Sequence, residues 1–129
     1  SFGEEKSLYR YAEGKWSLKE VLGHLMDTER INAYRMLCVA RGDKVPRPRH
    51  AELFVSGTNF DRRPLADLIE EFRAVRTASL VLANGIAEDE WTRAGIVGEA
   101  RTTAASIAYF IPAHTSHHLA VVRERYLEE

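Results

Sequence analysis

Trp16-Ser17-Leu18-Lys19-Glu20-Val21-Leu22-Gly23-His24-Leu25-Met26 carries a complete helix start. Ser17 is a favoured N-cap, and Glu20 completes the S-x-x-E capping box, in which each side chain accepts from the other residue's backbone N–H. Trp16, just outside, offers the apolar group of a hydrophobic staple. Leu18, Val21, Leu22, Leu25 and Met26 recur at helical spacing and form one apolar stripe. The pattern predicts a helix from Ser17 to about Arg41, where Gly42 supplies a stop.

Working outward, residues 42–63 contain Pro46 and Pro48 and read as a long connection, with a short helical turn around Glu52–Val55. Connections of this length are uncommon in compact domains and often carry function. A second helix starts near Pro64, a residue tolerated in a first turn. Leu65, Leu68, Ile69, Phe72, Val75, Ser79 and Leu82 continue it to Asn84-Gly85. Residues 87–91 read as one turn, followed by a glycine-containing loop from Thr92 to Ala100. The last helix runs from about Thr102 to Tyr126 with Pro112 inside it, where the ring removes one backbone hydrogen bond. Three long amphipathic helices without a recognisable strand predict an all-α fold, an up-and-down antiparallel helix bundle, in one domain spanning residues 1–129.

The balance of 18 basic and 19 acidic side chains, a formal charge of -1, lacks the basic excess of a nucleic-acid or anionic-membrane binder. No apolar run approaches the ~20 residues of a membrane helix, and no signal peptide opens the chain. The single cysteine, Cys38, excludes an internal disulfide framework, fits a cytoplasmic setting, and reads as a small core residue. The histidines stand out, because three of the five, His114, His117 and His118, fall within five residues.

On a helical wheel Ile107, Ile111, His114, His118, Val121 and Val122 share a sector of about 100°. His114 and His118 stand at i and i+4, the spacing by which a helix presents two imidazoles to one metal ion. Thr115 occupies the position where a zincin needs its catalytic glutamate, so that chemistry is excluded. His117 points to the edge of the stripe and is a candidate neighbour or ligand. His24, on the edge of the first helix's stripe, is the candidate third donor. Three imidazoles from two helices would leave a coordination position open, the pattern of a catalytic site. The same residues also fit ordinary, hydrogen-bonded core histidines. Asp27 is a candidate acceptor orienting a ligand. Arg47, Arg49 and His50 read either as a solvated basic segment or as a substrate-recognising rim.

The segment from Gly14 to Leu25, followed by Asp27 and Glu29, resembles the first histidine motif of the DinB-like superfamily. His114-Thr115-Ser116-His117-His118, ending in Glu124-Arg125-Tyr126-Leu127, resembles its last-helix motif. Phe60-Asp61-Arg62-Arg63-Pro64-Leu65 and Glu71-Phe72-Arg73 fit the middle of such sequences. The resemblance implies a four-helix bundle holding a divalent transition metal, zinc or nickel, on His24, His114 and His118. It implies a metal-dependent hydrolase or a transferase using a low-molecular-weight thiol such as bacillithiol or mycothiol, and assembly as a homodimer. It also implies a full helix ahead of Gly14. The chain opens at Ser1 rather than Met, and Ser1–Tyr11 is too short for that helix, so an apolar stripe is expected to need a cover.

The expected function is therefore a metal-dependent enzyme acting on a small molecule, with a metal-activated water or thiol as nucleophile. The alternative is a non-catalytic metal-binding module, serving as a sensor, an interaction unit or a vestigial site. Haem ligation is a third class, disfavoured because no wide apolar cavity is signalled.

Overall fold

The computed structural model describes residues 3–43 and 51–127, so Arg47, Arg49 and His50 lie outside the described residues. Helices α1 (Leu18–Ala40), α2 (Ala51–Ser56), α3 (Leu65–Asn84) and α4 (Ala104–Arg125) account for most of the chain. Strands β1 (Ala94–Val97) and β2 (Ala100–Thr103) precede α4, and single 3-10 turns form at Lys6–Leu8 and Phe60–Arg62.

The capping box closes as its sequence requires. The Ser17 hydroxyl accepts from the Glu20 N–H at 3.1 Å, and the Glu20 carboxylate accepts from the Ser17 N–H at 3.0 Å. At the other end Gly42 takes a φ of 94°, a left-handed turn that a residue with a Cβ rarely adopts. The α3 start is less local. Leu65, its first residue, donates its N–H to a Glu4 carboxylate oxygen at 2.7 Å, so a remote side chain satisfies an amide that Pro64 cannot.

Helix α1 is central and packs against both α3 and α4. Along it, Leu22 and Met26 meet Leu68 and Phe72, Glu29 pairs with Arg76, and Met36, Val39 and Ala40 meet Leu82 and Ala83. These contacts rise together in number, so α1 and α3 run in the same direction. Helix α4 runs the other way, with Ala104 and Ile107 against Met36–Ala40 and Val122 and Tyr126 against Val21 and Leu25. The expected helix bundle therefore forms with one parallel pair. This accounts for the long connection, because the chain must return along α1, about 1.5 Å per residue, before α3 can start.

One element departs from the sequence reading. The segment expected as a loop from Thr92 to Ala100 contributes to an antiparallel hairpin, registered from Ala94 opposite Thr103 to Val97 opposite Ala100. Gly98, with a φ of 65°, takes the first corner of its turn, a position that favours glycine. Each strand has four residues, too few for alternation to emerge from Ala-Gly-Ile-Val and Ala-Arg-Thr-Thr. The hairpin delivers Thr103, whose hydroxyl accepts from the Ser106 N–H at 3.1 Å and caps α4.

Two close approaches position α1. The ring of buried Phe60 lies where a Cβ on Gly23 would sit, 2.5 Å from three ring carbons. Gly23→Ala gains about 1 kcal/mol of helix propensity but forces that ring out of a packed site, an overpacking cost of about 1–3 kcal/mol. Three ring carbons of a buried side chain must move, which puts the cost in the upper part of that range, and urea unfolding is expected to show a net loss of about 1–2 kcal/mol; a stabilised variant would contradict the packing.

Buried Lys19 pairs with Glu4 and donates to the Asp61 carbonyl at 3.3 Å, tying the N-terminal segment to α1 and to the turn before α3. The bond from Lys19, supported by the Leu65 N–H, holds the Glu4 carboxyl below its ordinary value of 4.5. The folded protein thus binds that proton less tightly than the unfolded chain. The contribution is complete above 4.5 and is lost as pH falls through the lowered value. Glu4→Gln is accordingly expected to be less stable than wild type at neutral pH, with the gap closing in acid. A gap independent of pH would refute the assignment.

Among the described residues no helix is long and apolar enough to cross a membrane. Leu80 and Val81 on α3 and Tyr109 on α4 are exposed apolar side chains, 56%, 67% and 79% accessible.

Candidate metal centre

The capping box fixes the start of α1 and so the direction in which His24 points, two turns further on. Its ring is buried and packs against Trp16 at 4.8 Å between centroids. Trp16 is held in turn by Tyr126, whose hydroxyl donates to the Trp16 carbonyl at 2.6 Å. Burial pushes that phenol up to about 12, with a further contribution from nearby Tyr11.

Helix α4 continues through Pro112 and presents His114 and His118 on the face turned toward α1. The His24 ring centroid lies 5.1 Å from that of His114 and 4.8 Å from that of His118, and those two are 4.6 Å apart. The Nε2 atoms of His114 and His118 approach to 3.1 Å. One ring nitrogen from each of the three histidines lies within 4.8 Å of the others. Sequence reasoning named these three residues, and the fold brings them together. Phe110 stacks on His114, with 5.3 Å between centroids and 20° between planes.

The donor set suits a divalent transition metal. Tetrahedral zinc with Zn–N of about 2.0–2.1 Å places neighbouring nitrogens about 3.3 Å apart, close to the His114–His118 spacing. Imidazole is a common donor for zinc, nickel, copper and iron. The Thr28 hydroxyl lies 3.4 Å from His24 Nδ1, on the side that leaves Nε2 to a ligand.

The remaining expected residues sit at different places. His117 is exposed, with its ring 5.2 Å from that of His118. It lines a hollow of about 320 Å³ beside the histidine cluster, together with His118, Trp16, Tyr11, Lys15 and Glu52. Asp27 lines another hollow, with Leu53, Phe54, Arg63 and Glu71. Burial raises its carboxyl, partly opposed by Arg30. Glu71 in that hollow is held by Arg30 at 2.6 Å and by Arg63 at 2.7 Å, lowering its carboxyl.

A second polar cluster adjoins the histidines. Arg76 Nε donates to both carboxylate oxygens of buried Glu29 at 2.9 and 3.0 Å, and its Nη2 donates to Thr115 Oγ1 at 3.0 Å. The Thr115 hydroxyl donates to the Ile111 carbonyl at 3.2 Å. In the sequence Glu29 and Thr115 stand out only as members of the two histidine motifs, Thr115 also as a departure from the zincin pattern, and Arg76 not at all. A charged residue on an amphipathic helix reads as solvated, and only its burial against a partner on another helix reveals otherwise.

A bundle of helices with three histidines converging from two of them defines a class of helical proteins with a metal-type donor set. The family model described as the DinB superfamily matches residues 1–122, and the chain belongs to that superfamily. No curated protein matches it. Among solved structures it is similar to YfiT from Bacillus subtilis, with a TM-score of 0.75 over 95% of this chain and 74% of that one. That protein is described as a probable metal-dependent hydrolase with an unusual four-helix bundle topology, and at 12% identity the likeness shows the shared fold.

Proposed function

We propose that this protein is a metal-dependent enzyme in which His24, His114 and His118 bind one divalent ion, zinc or nickel, and a small molecule enters the adjoining hollow. The observation that carries the reading is the convergence of three imidazole nitrogens within 4.8 Å, beside a hollow of about 320 Å³. Three protein donors are the number that leaves room for a reacting group, whereas structural zinc sites use four. When bound, such an ion supplies Lewis acidity, bringing a water or thiol toward its deprotonated form near neutral pH. The description of YfiT as a probable metal-dependent hydrolase supports the same class, and hydrolysis or thiol transfer are the two reactions to test.

The chain's own residues divide the remaining work. Trp16 and Phe110 pack against the His24 and His114 rings and hold their orientations. Tyr11, Trp16 and Tyr126 give the hollow an aromatic wall, while Lys15, Glu52 and His117 supply polar groups that would orient a substrate. Asp27 stands apart from this arrangement, and Thr28 is the nearer orienting group for His24. The exposed Leu80, Val81 and Tyr109 support association as a homodimer, which sedimentation checks.

Protein loaded with zinc or nickel should be mixed with esters and amides, and separately with low-molecular-weight thiols and electrophiles. Turnover that a chelator abolishes and that His118→Ala removes is expected. Metal binding without turnover would favour the alternative of a non-catalytic metal-binding module, and turnover undiminished in His118→Ala would refute the mechanism.

A further inference from the structure

Buried Glu29 and its partner Arg76 have no role in the reaction outlined above, yet they sit next to the residues that do. Glu29 follows Thr28 on α1, Thr115 follows His114 on α4, and Arg76 reaches from α3 to both. Only 2% of the Glu29 side chain is accessible, against 30% for Arg76, so the carboxylate is the desolvated partner. Helices α3 and α4 pack on α1 far more than on each other, and the guanidinium joins all three. Phe72 lies under it, with the Arg76 Cζ 5.4 Å from the ring centroid.

A buried ion pair is a weak device for stability, because desolvation consumes most of the attraction and apolar replacements of both partners often do as well. Its strength is directional. A planar guanidinium engaging a carboxylate with two nitrogens, and a hydroxyl with one of the two, accepts few alternative placements. That precision is useful where α4 must present two imidazoles to a third on α1. Pro112 makes the need greater, since it removes an internal hydrogen bond from α4 about half a turn before His114. The Thr115 bond to the Ile111 carbonyl lies across the same stretch of helix.

We propose that Arg76, fixed by Glu29 and bonded to Thr115, is a positioning residue that sets the rotation of α4 and so holds His114 and His118 opposite His24. This rests on the reading of the three histidines as a metal centre. The clamp acts on the spacing of the donors rather than on the reaction, so its loss weakens metal binding even where the fold is preserved.

The test compares zinc and cobalt affinity, cobalt absorption spectra and metal-free thermal midpoints in wild type, the joint exchange Glu29→Leu with Arg76→Met, and Thr115→Val. The joint exchange is expected to keep the metal-free midpoint near or above that of wild type while weakening zinc binding about 10–100-fold, the range found for partners that orient metal ligands. Its cobalt spectrum should change, because the donor geometry is no longer held. Thr115→Val leaves the ion pair in place and should weaken binding by several-fold with little change in midpoint. Should the joint exchange fail to fold, Thr115→Val alone decides. Affinities and spectra equal to wild type in the folded variants would overturn the clamp while leaving the metal centre intact. A wild type that binds neither metal would remove the centre itself, and the clamp with it.

Discussion

Zinc affinity is expected to fall by more than about 100-fold when His118 is replaced by alanine, since losing a donor exceeds the 10–100-fold cost of losing a partner that orients one. The geometry makes this residue the most informative choice. Its Nε2 lies 3.1 Å from that of His114, and its ring is the nearer of the two to His24. It is half-buried on a helix, where alanine is the best helix former, so the metal-free fold should lose little. Binding and folding are thereby separated. Zinc at a hundred times its dissociation constant stabilises a folded protein by about 2.7 kcal/mol, which for a chain of 129 residues raises the thermal midpoint by roughly 10 °C. Wild type should show that rise and His118→Ala should not. An equal rise in both would mean that the ion binds elsewhere.

The largest effect on stability is expected from Glu29→Ala, about 3 kcal/mol or more in urea unfolding. The substitution leaves the Arg76 guanidinium without its carboxylate partner, and Thr115 keeps a partner that is itself no longer held. Because 30% of the Arg76 side chain is accessible, it can turn partly to solvent, which places the loss at the lower end of the range for a broken buried pair. Against a total stability of about 5–15 kcal/mol this is severe. The contrast with the joint apolar exchange is what matters, for the same position is costly when one charge is stranded and tolerant when both are removed. A loss below about 1 kcal/mol would show the pair to be solvated and its geometry incidental.

Much of this was legible in the residues. The Ser17–Glu20 capping box, the apolar stripe behind it and Gly42 locate α1 to within a residue, because capping and periodicity are local. The i, i+4 spacing of His114 and His118 places their rings on one face for the same reason. Helix direction was not legible. Periodicity is blind to which way a neighbour runs, and only the length of residues 42–63 hints that α3 must lie parallel to α1. The Ala94–Thr103 hairpin escaped because its strands are short and rich in small residues. Thr28, Glu29, Arg76 and Thr115 escaped because polar side chains on helices read as solvent-facing until a partner helix covers them. Asp27 and Thr28 illustrate the limit within one turn of α1, since both lie near His24 in sequence and only the fold shows that Thr28 faces its ring while Asp27 lines another hollow.

The most direct measurement is the metal content of protein purified without a histidine tag, incubated with zinc or nickel and then dialysed, alongside His24→Ala. The three converging imidazoles predict about one tightly held equivalent per chain in wild type and a strong loss in the variant, as for a three-donor site reduced to two. Less than about a tenth of an equivalent in wild type would contradict the account, since a preformed site with three nitrogen donors should retain its ion.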